Sequence, residues 1–232
     1  MHANNETGAI QPIGAIGDSA REAGVLFHTD AAQSVGKIPL PVSELNLDLA
    51  SIAGHKMYAP KGVGALFLKN TLTIEPLMHG AGQEAGRRAG TENVMFAVGL
   101  GKACALARKR MSKEAERIRQ LRDRLHDLLS TGIPGLVLNG HPEERLPNTL
   151  NVSVPGVDGG RVLDTLPELC ASTGAACHDR SVTISHVLAA MQIPEGIARG
   201  AIRLTLGRKN TEAEIDQAAE MIIRAYNDLK NT

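Results

Sequence analysis

The sequence predicts an α/β fold: a mostly parallel sheet with flanking helices, followed by a smaller α+β domain. Two observations carry this. In the first half, a helical repeat alternates with short apolar runs that end in polar residues, His28-Thr-Asp30 and Gly54-His-Lys56. Polar groups at the carboxyl ends of strands are how doubly wound sheets build their sites. In the second half, short strand-like runs stand between helical patterns, and the change of character places a domain boundary near residue 112. The expected domains are therefore residues 1–111 and 112–232.

Each element has its own signal. From Ile13 to Ala23 apolar and small residues recur at helical spacing, and Gly24 supplies a C-terminal cap. Val25-Leu-Phe27 reads as a short buried strand, Leu49 to Ala53 as a second, and Gly64 to Leu68 as a third after the turn Pro60-Lys-Gly62. Asn93 to Leu129 reads as a long helical stretch, broken or bent near Met111-Ser112. Within it, Arg108 to Arg124 holds eight Lys or Arg against Glu114, Glu116 and Asp123. That run is expected to be a solvated face linking the domains, with an acidic protein partner as the alternative. Strands follow at Leu136 to Leu138 and Asn148 to Val154, then a helix at Gly159 to Leu166 and a strand at Ala201 to Thr205. The last helix opens on a capping box, Thr211 with Glu214. It buries the stripe Ile215, Ala218, Ala219, Ile222, Tyr226 and Leu229.

Composition excludes several functions. A chain of 232 residues with 43% hydrophobic content can bury a sizeable core. Its 25 basic and 25 acidic residues cancel, which argues against a broad cationic surface for nucleic acid. Aromatics are 2% of the chain and Trp is absent, so a base-stacking platform is not expected. No run of about 18 apolar residues is present to span a membrane, and no secretory signal is readable. The expected compartment is the cytoplasm. Three cysteines, Cys104, Cys170 and Cys177, do not make a disulfide framework or a CxxC metal site, so no metal is expected.

The residues that bear chemistry are spread along the chain. Lys56 follows a buried apolar strand, beside His55. It is either an ordinary loop lysine or one desolvated enough to attack a carbonyl, as Schiff-base lysines do. Asp30 stands 26 residues upstream, also at a strand end. A lysine and a carboxylate so placed suit pyridoxal phosphate, whose ring nitrogen needs an anionic partner to stay protonated. Gln33, one helical turn further, is suited to the ring's phenolic oxygen. Gly80 to Asn93 is a glycine-rich, basic loop feeding a helix, and Thr91 within it suits a phosphate. Cys177 follows small residues and is flanked by His178 and Arg180, a setting that favours a thiolate. Cys104, in an apolar helix, reads as a packed core thiol, and Cys170 is ambiguous.

Taken together, His28-Thr-Asp30-Ala-Ala-Gln33-Ser, Gly54-His-Lys56, Arg87-Arg-Ala-Gly-Thr91-Glu-Asn and Gly174-Ala-Ala-Cys177 resemble the cysteine desulfurases. Those enzymes form part of the class V branch of fold-type-I pyridoxal phosphate enzymes. Asn4-Asn5-Glu6-Thr7-Gly8 and Ile202-Arg203-Leu-Thr-Leu-Gly-Arg208 also match, and the motifs run in consistent order along the chain. The resemblance implies the C-terminal part of a fold-type-I large domain, residues 1–111, plus a small domain, residues 112–232, carrying the cysteine loop. It implies that Lys56 holds pyridoxal 5'-phosphate and moves the substrate's Cα proton. Asp30 then pairs with the ring nitrogen, Gln33 with the phenolic oxygen, and His55 with the phosphate, while Thr91 reaches the phosphate of a neighbouring subunit in a homodimer. Asn5 lies near the phenolic oxygen or the substrate carboxylate, and Arg203 clamps that carboxylate. Cys177 takes sulfur from L-cysteine as a persulfide and passes it to a sulfur-acceptor protein. The eight-residue step from Cys177 to Ser185 resembles the longer-loop type that supplies iron–sulfur cluster assembly.

Departures from the family pattern matter too. Ala53 stands where the family usually has a hydroxyl residue, which removes one phosphate contact. The resemblance starts inside the family's large domain. The chain is thus expected to be a C-terminal portion without the family's Gly/Thr phosphate loop and ring-stacking histidine. Two alternatives stay open: a selenocysteine lyase, which shares the lysine, aspartate and loop cysteine, and a non-catalytic fragment that needs a partner chain.

Overall fold

The computed structural model describes residues 1–174 and 184–231. The chain divides into two compact units, Met1–His2 with Gln11–Met111, and Ala3–Ile10 with Ser112–Thr232.

The first unit opens with helix α1, Ile13–Glu22, which ends at Ala23 and is followed by Gly24 in the left-handed region at φ +65°. Its sheet has the order β1 (His28–Asp30), β2 (Leu49–Ala53), β3 (Gly64–Leu68). β1 and β2 run parallel with Asp30 opposite Ser51, whereas β2 and β3 are antiparallel, so the sheet is mixed here. The strand expected at residues 25–27 starts instead at His28, and Val25 and Leu26 are exposed. The cause lies in the pairing. Phe27 is the entry point, its N–H donating to Asp48 Oδ2 at 3.0 Å and its carbonyl accepting from the Asp48 and Leu49 amides at 2.9 and 3.2 Å. A ladder partner exists only from Leu49 onward. The Phe27 N–H, aided by Lys69, holds the Asp48 carboxyl below its usual range against the opposing effect of burial. Ile13, Leu47 and Ala50 form a small core beneath, with Phe27, Leu40, Val42, Leu45 and Phe67 packed on it.

Helix α2, Val94–Gly132, is unbroken over 39 residues, so no break interrupts it at Met111-Ser112. Neither Pro nor Gly stands there to interrupt the hydrogen-bond ladder, which is what a sharp kink needs. Cys104 is exposed and not a core thiol; its neighbour Ala103 is the buried residue of that turn.

The second unit is an antiparallel sheet, order β4 (Val137–Leu138), β5 (Thr149–Ser153), β6 (Ala201–Thr205), covered by the second half of α2 and by α6 (Glu212–Lys230). Short helices α3 (Gly159–Asp164), α4 (His186–Ala190) and α5 (Glu195–Ala198) connect these elements. Leu121, Leu125, Leu129 and Ile133 pack against Leu150, Val152, Ile202 and Leu204, and against Ile215, Ala219, Ile222 and Tyr226 of α6. The expected stripe of α6 is buried except that Ala218 and Leu229 are only half-buried, and Ala225 joins it. The capping box is present: Glu214 N–H donates to Thr211 Oγ1 at 3.3 Å, and Thr211 N–H to Glu214 Oε2 at 2.8 Å.

The basic run of α2 is not only a solvated face. Arg122 is buried and donates to the Leu146 carbonyl at 2.8 Å, Arg117 donates to the carbonyls of Arg208 and Asn210, and Arg124 pairs with Asp216. A guanidinium on a long stem satisfies loop carbonyls that no backbone amide reaches. No helix among the described residues is long and apolar enough to cross a membrane.

Leu129→Ala should cost about 2–5 kcal/mol of stability through the cavity it leaves. Thr211→Ala should cost about 1 kcal/mol through loss of the cap. Both are read from urea unfolding midpoints; equal midpoints for the two variants would contradict this account of the core.

Candidate active site

In the first unit, the chain leaves two adjacent parallel strands on the same side of the sheet. β1 ends at Asp30, and the Ala31 N–H continues the pairing onto the Ser51 carbonyl at 2.9 Å. β2 ends at Ala53 and passes into a tight 3₁₀ turn, Gly54–Met57, that presents His55 and Lys56. Gly54 is required there: a Cβ would meet the Val63 carbonyl oxygen at 2.7 Å. Tyr58 closes the turn in the left-handed region at φ +67°, a conformation that costs a non-glycine residue about 1–3 kcal/mol. Met57 is buried while His55 and Lys56 face outward, so the turn is anchored by its last residue and offers the two before it.

The loop after β1 packs against this turn, and Gly36 lies beside the Met57 side chain. Asp30 Oδ1 accepts the Ala32 N–H at 2.8 Å, which fixes the carboxylate at the strand end. Gln33 is half-buried, and its carbonyl accepts from Lys37 Nζ at 2.7 Å. Burial, with the nearby Lys56 charge adding to it, pushes the Lys37 amine down to about 8. Thr91 is exposed in the segment leading to α2, where Asn93 Oδ1 accepts the Phe96 N–H at 3.2 Å as a cap.

The second unit holds the rest of the described site residues. Strand β5 alternates strictly: Leu150 and Val152 enter the core, while Thr149, Asn151 and Ser153 form a buried polar face. On β6, Arg203 is directly opposite Asn151, whereas Ile202 and Leu204 enter the core. The segment Ala3–Ile10 is bound to this same unit. Asn4 Oδ1 accepts from the Glu6 N–H, the Thr7 N–H and Thr7 Oγ1, folding the segment into a turn. Asn151 Nδ2 donates to the Glu6 carbonyl at 3.3 Å, and Arg145 Nη2 donates to the carbonyls of Thr7 and Thr149. Gly8, at φ +79°, lies so close to Thr149 that a Cβ would meet its side chain at 2.9 Å. Arg203 Nη1 donates to the Asn5 carbonyl at 3.1 Å, which brings Asn5 and Arg203 together. Burial lowers the Arg203 guanidinium from its usual value, and the charge of Glu6 opposes that effect.

Asp30, Gln33, His55, Lys56 and Thr91 thus belong to the first unit and Asn5 and Arg203 to the second, while Cys177 lies outside the described residues. Sequence reasoning did not single out Lys37 or Asn151, which lie beside these residues. The polar alternation Thr149, Asn151, Ser153 within an apolar strand is the signal that could have found Asn151. Among the described residues, no group of three or more His, Cys, Asp or Glu stands where it could hold a metal ion.

Residues 1–218 match the aminotransferase class-V family, and the chain belongs to it. It is 46% identical over 224 residues to cysteine desulfurase 2 of Trichormus variabilis, an alignment covering 96% of this chain and 56% of that protein. A NifS-like protein superposes with a TM-score of 0.89 at 36% identity, covering 99% of this chain and 60% of the other. The structure of SspA in complex with cysteine gives a TM-score of 0.70 at 33% identity, over 90% of this chain and 58% of that one. The chain therefore spans somewhat more than half the length of these relatives, and the α/β fold expected from its sequence is theirs.

Lys37 makes stability depend on alkaline pH. Its folded value of about 8 lies below the unfolded value of 10.5, so the unfolded chain binds more protons between these limits. Stability contributed here is therefore regained as pH rises from 8 towards 10.5. The difference between the wild type and Lys37→Met should shrink over that window in urea unfolding. A difference independent of pH would contradict the burial of a charged amine.

Proposed function

We propose that this chain carries the lysine, aspartate and cysteine of a pyridoxal-phosphate-dependent cysteine desulfurase. The reaction would remove sulfur from L-cysteine, giving L-alanine and a persulfide on Cys177. The observation that carries this reading is the juxtaposition at the ends of β1 and β2. A carboxylate and an exposed primary amine leave neighbouring parallel strands on the same side, in a chain of the class-V family. The desulfurase relative and the neighbour solved with cysteine support the substrate.

The donor set fits pyridoxal phosphate. Asp30 has one oxygen committed to Ala32, and Lys56 is exposed at the turn. His55, Gln33 and Thr91 add groups suited to a phosphate and a phenolic oxygen. When bound, the cofactor supplies an electron sink for charge developing at the substrate Cα. Lys56 would hold it and move the Cα proton. Asp30 would keep a proton on the ring nitrogen, Gln33 would donate to the phenolic oxygen, and His55 would bind the phosphate. Thr91 would bind the phosphate of a second subunit in a homodimer. Asn5 and Arg203 would orient the substrate, Arg203 by a charge-assisted pair with its carboxylate. The Cys177 thiolate would attack the substrate sulfur. The new S–S bond forms as the Cβ–S bond breaks, and the carbon fragment takes up a proton to leave as alanine. The persulfide would then pass to a sulfur-acceptor protein serving iron–sulfur cluster assembly or another sulfur transfer.

The test starts with near-visible absorbance after adding pyridoxal phosphate. A band that Lys56→Ala removes is expected, and a band indifferent to Lys56 would contradict its role. Cys177→Ala should leave that band intact while abolishing persulfide formation from L-cysteine. Unchanged desulfuration in that variant would overturn the nucleophile assignment.

A further inference from the structure

Backbone pairing fixes where the Arg203 side chain starts. Arg203 is opposite Asn151 of β5, and on its other edge it exchanges two backbone hydrogen bonds with Ser172, at 3.3 and 2.6 Å. Register alone does not aim the guanidinium, because a long stem with several rotatable bonds separates it from the strand. The head is held by the Asn5 carbonyl, which accepts from Nη1 at 3.1 Å. Whatever orients that carbonyl also orients Arg203.

Asn4 does this. Its Oδ1 accepts the Glu6 and Thr7 N–H groups, each at 2.9 Å, and Thr7 Oγ1 at 3.2 Å. Its own carbonyl accepts the Gly8 N–H at 3.1 Å, so residues 4–8 close a single helical turn with Asn4 as the N-terminal cap. Gly8, at φ +79°, ends the turn, and the Ala9 carbonyl then accepts the Asn4 N–H at 2.8 Å. With the amides drawn onto one side-chain oxygen, three successive carbonyls each meet a different donor. Asn5 meets Arg203, Glu6 meets Asn151 Nδ2 at 3.3 Å, and Thr7 meets Arg145 Nη2 at 3.3 Å. Glu6 and Thr7 are buried, so losing the Asn4 oxygen leaves their amides little water to turn to.

We infer that Asn4 is a positioning residue for substrate binding: it caps the turn whose Asn5 carbonyl aims the Arg203 guanidinium. The inference rests on the desulfurase reading, in which Arg203 clamps the substrate carboxylate. The Asn5 contact uses one N–H of a planar fork, and a carboxylate takes two others, so the clamp closes without breaking it. A head already aimed loses less freedom when the substrate binds. That gain is present in the ground state and the transition state alike, so its loss appears in KM and not in kcat.

Two readouts need no turnover. In Asn4→Ala, hydrogen exchange of the Glu6 and Thr7 amides should quicken at least about fivefold. Rotation of the Arg203 guanidinium about its Nε–Cζ bond, followed by nitrogen-15 NMR, should also speed at least about fivefold. Asn4→Ser supplies a neutral cap of similar quality and should return both near wild type. Unmoved exchange in Asn4→Ala overturns the cap, and quickened exchange with an unmoved Arg203 overturns the tie between them. If Asn4→Ala does not fold, Asn4→Gln, whose amide sits one methylene too far out, carries the same expectations. In the pyridoxal-phosphate-loaded protein, Asn4→Ala should raise KM for L-cysteine about fivefold with kcat within about twofold. Asn4→Ser should restore KM, and Thr211→Ala, which removes the cap of α6 in the same unit, should leave it unchanged. An unchanged KM in Asn4→Ala, or an equal rise in Thr211→Ala, overturns the role in substrate binding. A wild type that makes no alanine would sink the desulfurase reading and the KM role with it, while exchange and rotation still decide whether Asn4 holds Arg203.

Discussion

The second unit depends on one constraint: β5 must keep its alternation. All five of its residues are buried, but on opposite terms. Leu150 and Val152 are held by hydrophobic contact with α2 and α6, Asn151 and Ser153 by side-chain hydrogen bonds from Asn139, and Thr149 by close approach to Gly8. A slip of one residue would drive three polar side chains into the core and turn the apolar ones onto the polar face. The register of β5 with β6 then fixes Arg203 opposite Asn151. Because Asn151 also holds the Glu6 carbonyl, the same register decides where the Asn5-Glu6 turn meets Arg203. Core packing on one face of the strand thus determines how Asn5, Asn151 and Arg203 are placed on the other.

The first unit solves a different problem with less packing. Its core is small, and its candidate site residues His55 and Lys56 sit on a four-residue turn after β2. Order comes from close backbone approach at Gly54, from buried Met57 and from the loop that sets Gly36 against it. Asp48 aligns the parallel pair at its entry, through Phe27, while Asp30 closes the exit through Ala32. Carboxylates thus fix both ends of the three-residue strand β1. So short a strand needs such help, since its ladder contributes few hydrogen bonds of its own.

Much of this was legible in the sequence where local chemistry decides the outcome. The capping box at Thr211, the alternating apolar runs and the polar strand ends all follow from residue type and spacing. What stayed hidden was non-local. Val25-Leu-Phe27 has the composition of a strand, but a strand exists only where a partner is available, and its partner begins at Leu49. Arg122 looks like one more charge in a basic run, and only the position of Leu146 shows that it is buried. Nor does anything near residue 6 announce that the Asn4 turn joins a sheet formed almost 150 residues later. Lys37 was equally silent, because its lowered basicity comes from burial and from Lys56, neither of which is visible in its neighbours along the chain.

That separation has a physical consequence for how the polar half of the site comes together. Arg203 meets Asn5 across 198 positions, and Ser185 meets Glu6 across 179. Closing such loops costs entropy that only already-formed structure can offset. The hydrophobic face of β5 and β6 with α2 and α6 spans shorter separations and buries the larger side chains, so it is the natural scaffold to form first. The turn at residues 4–8 then docks on a polar face already in register. On this account, Arg203 acquires its opposing charge only when Glu6 arrives. Docking brings in a carboxylate whose charge offsets part of the burial effect on Arg203.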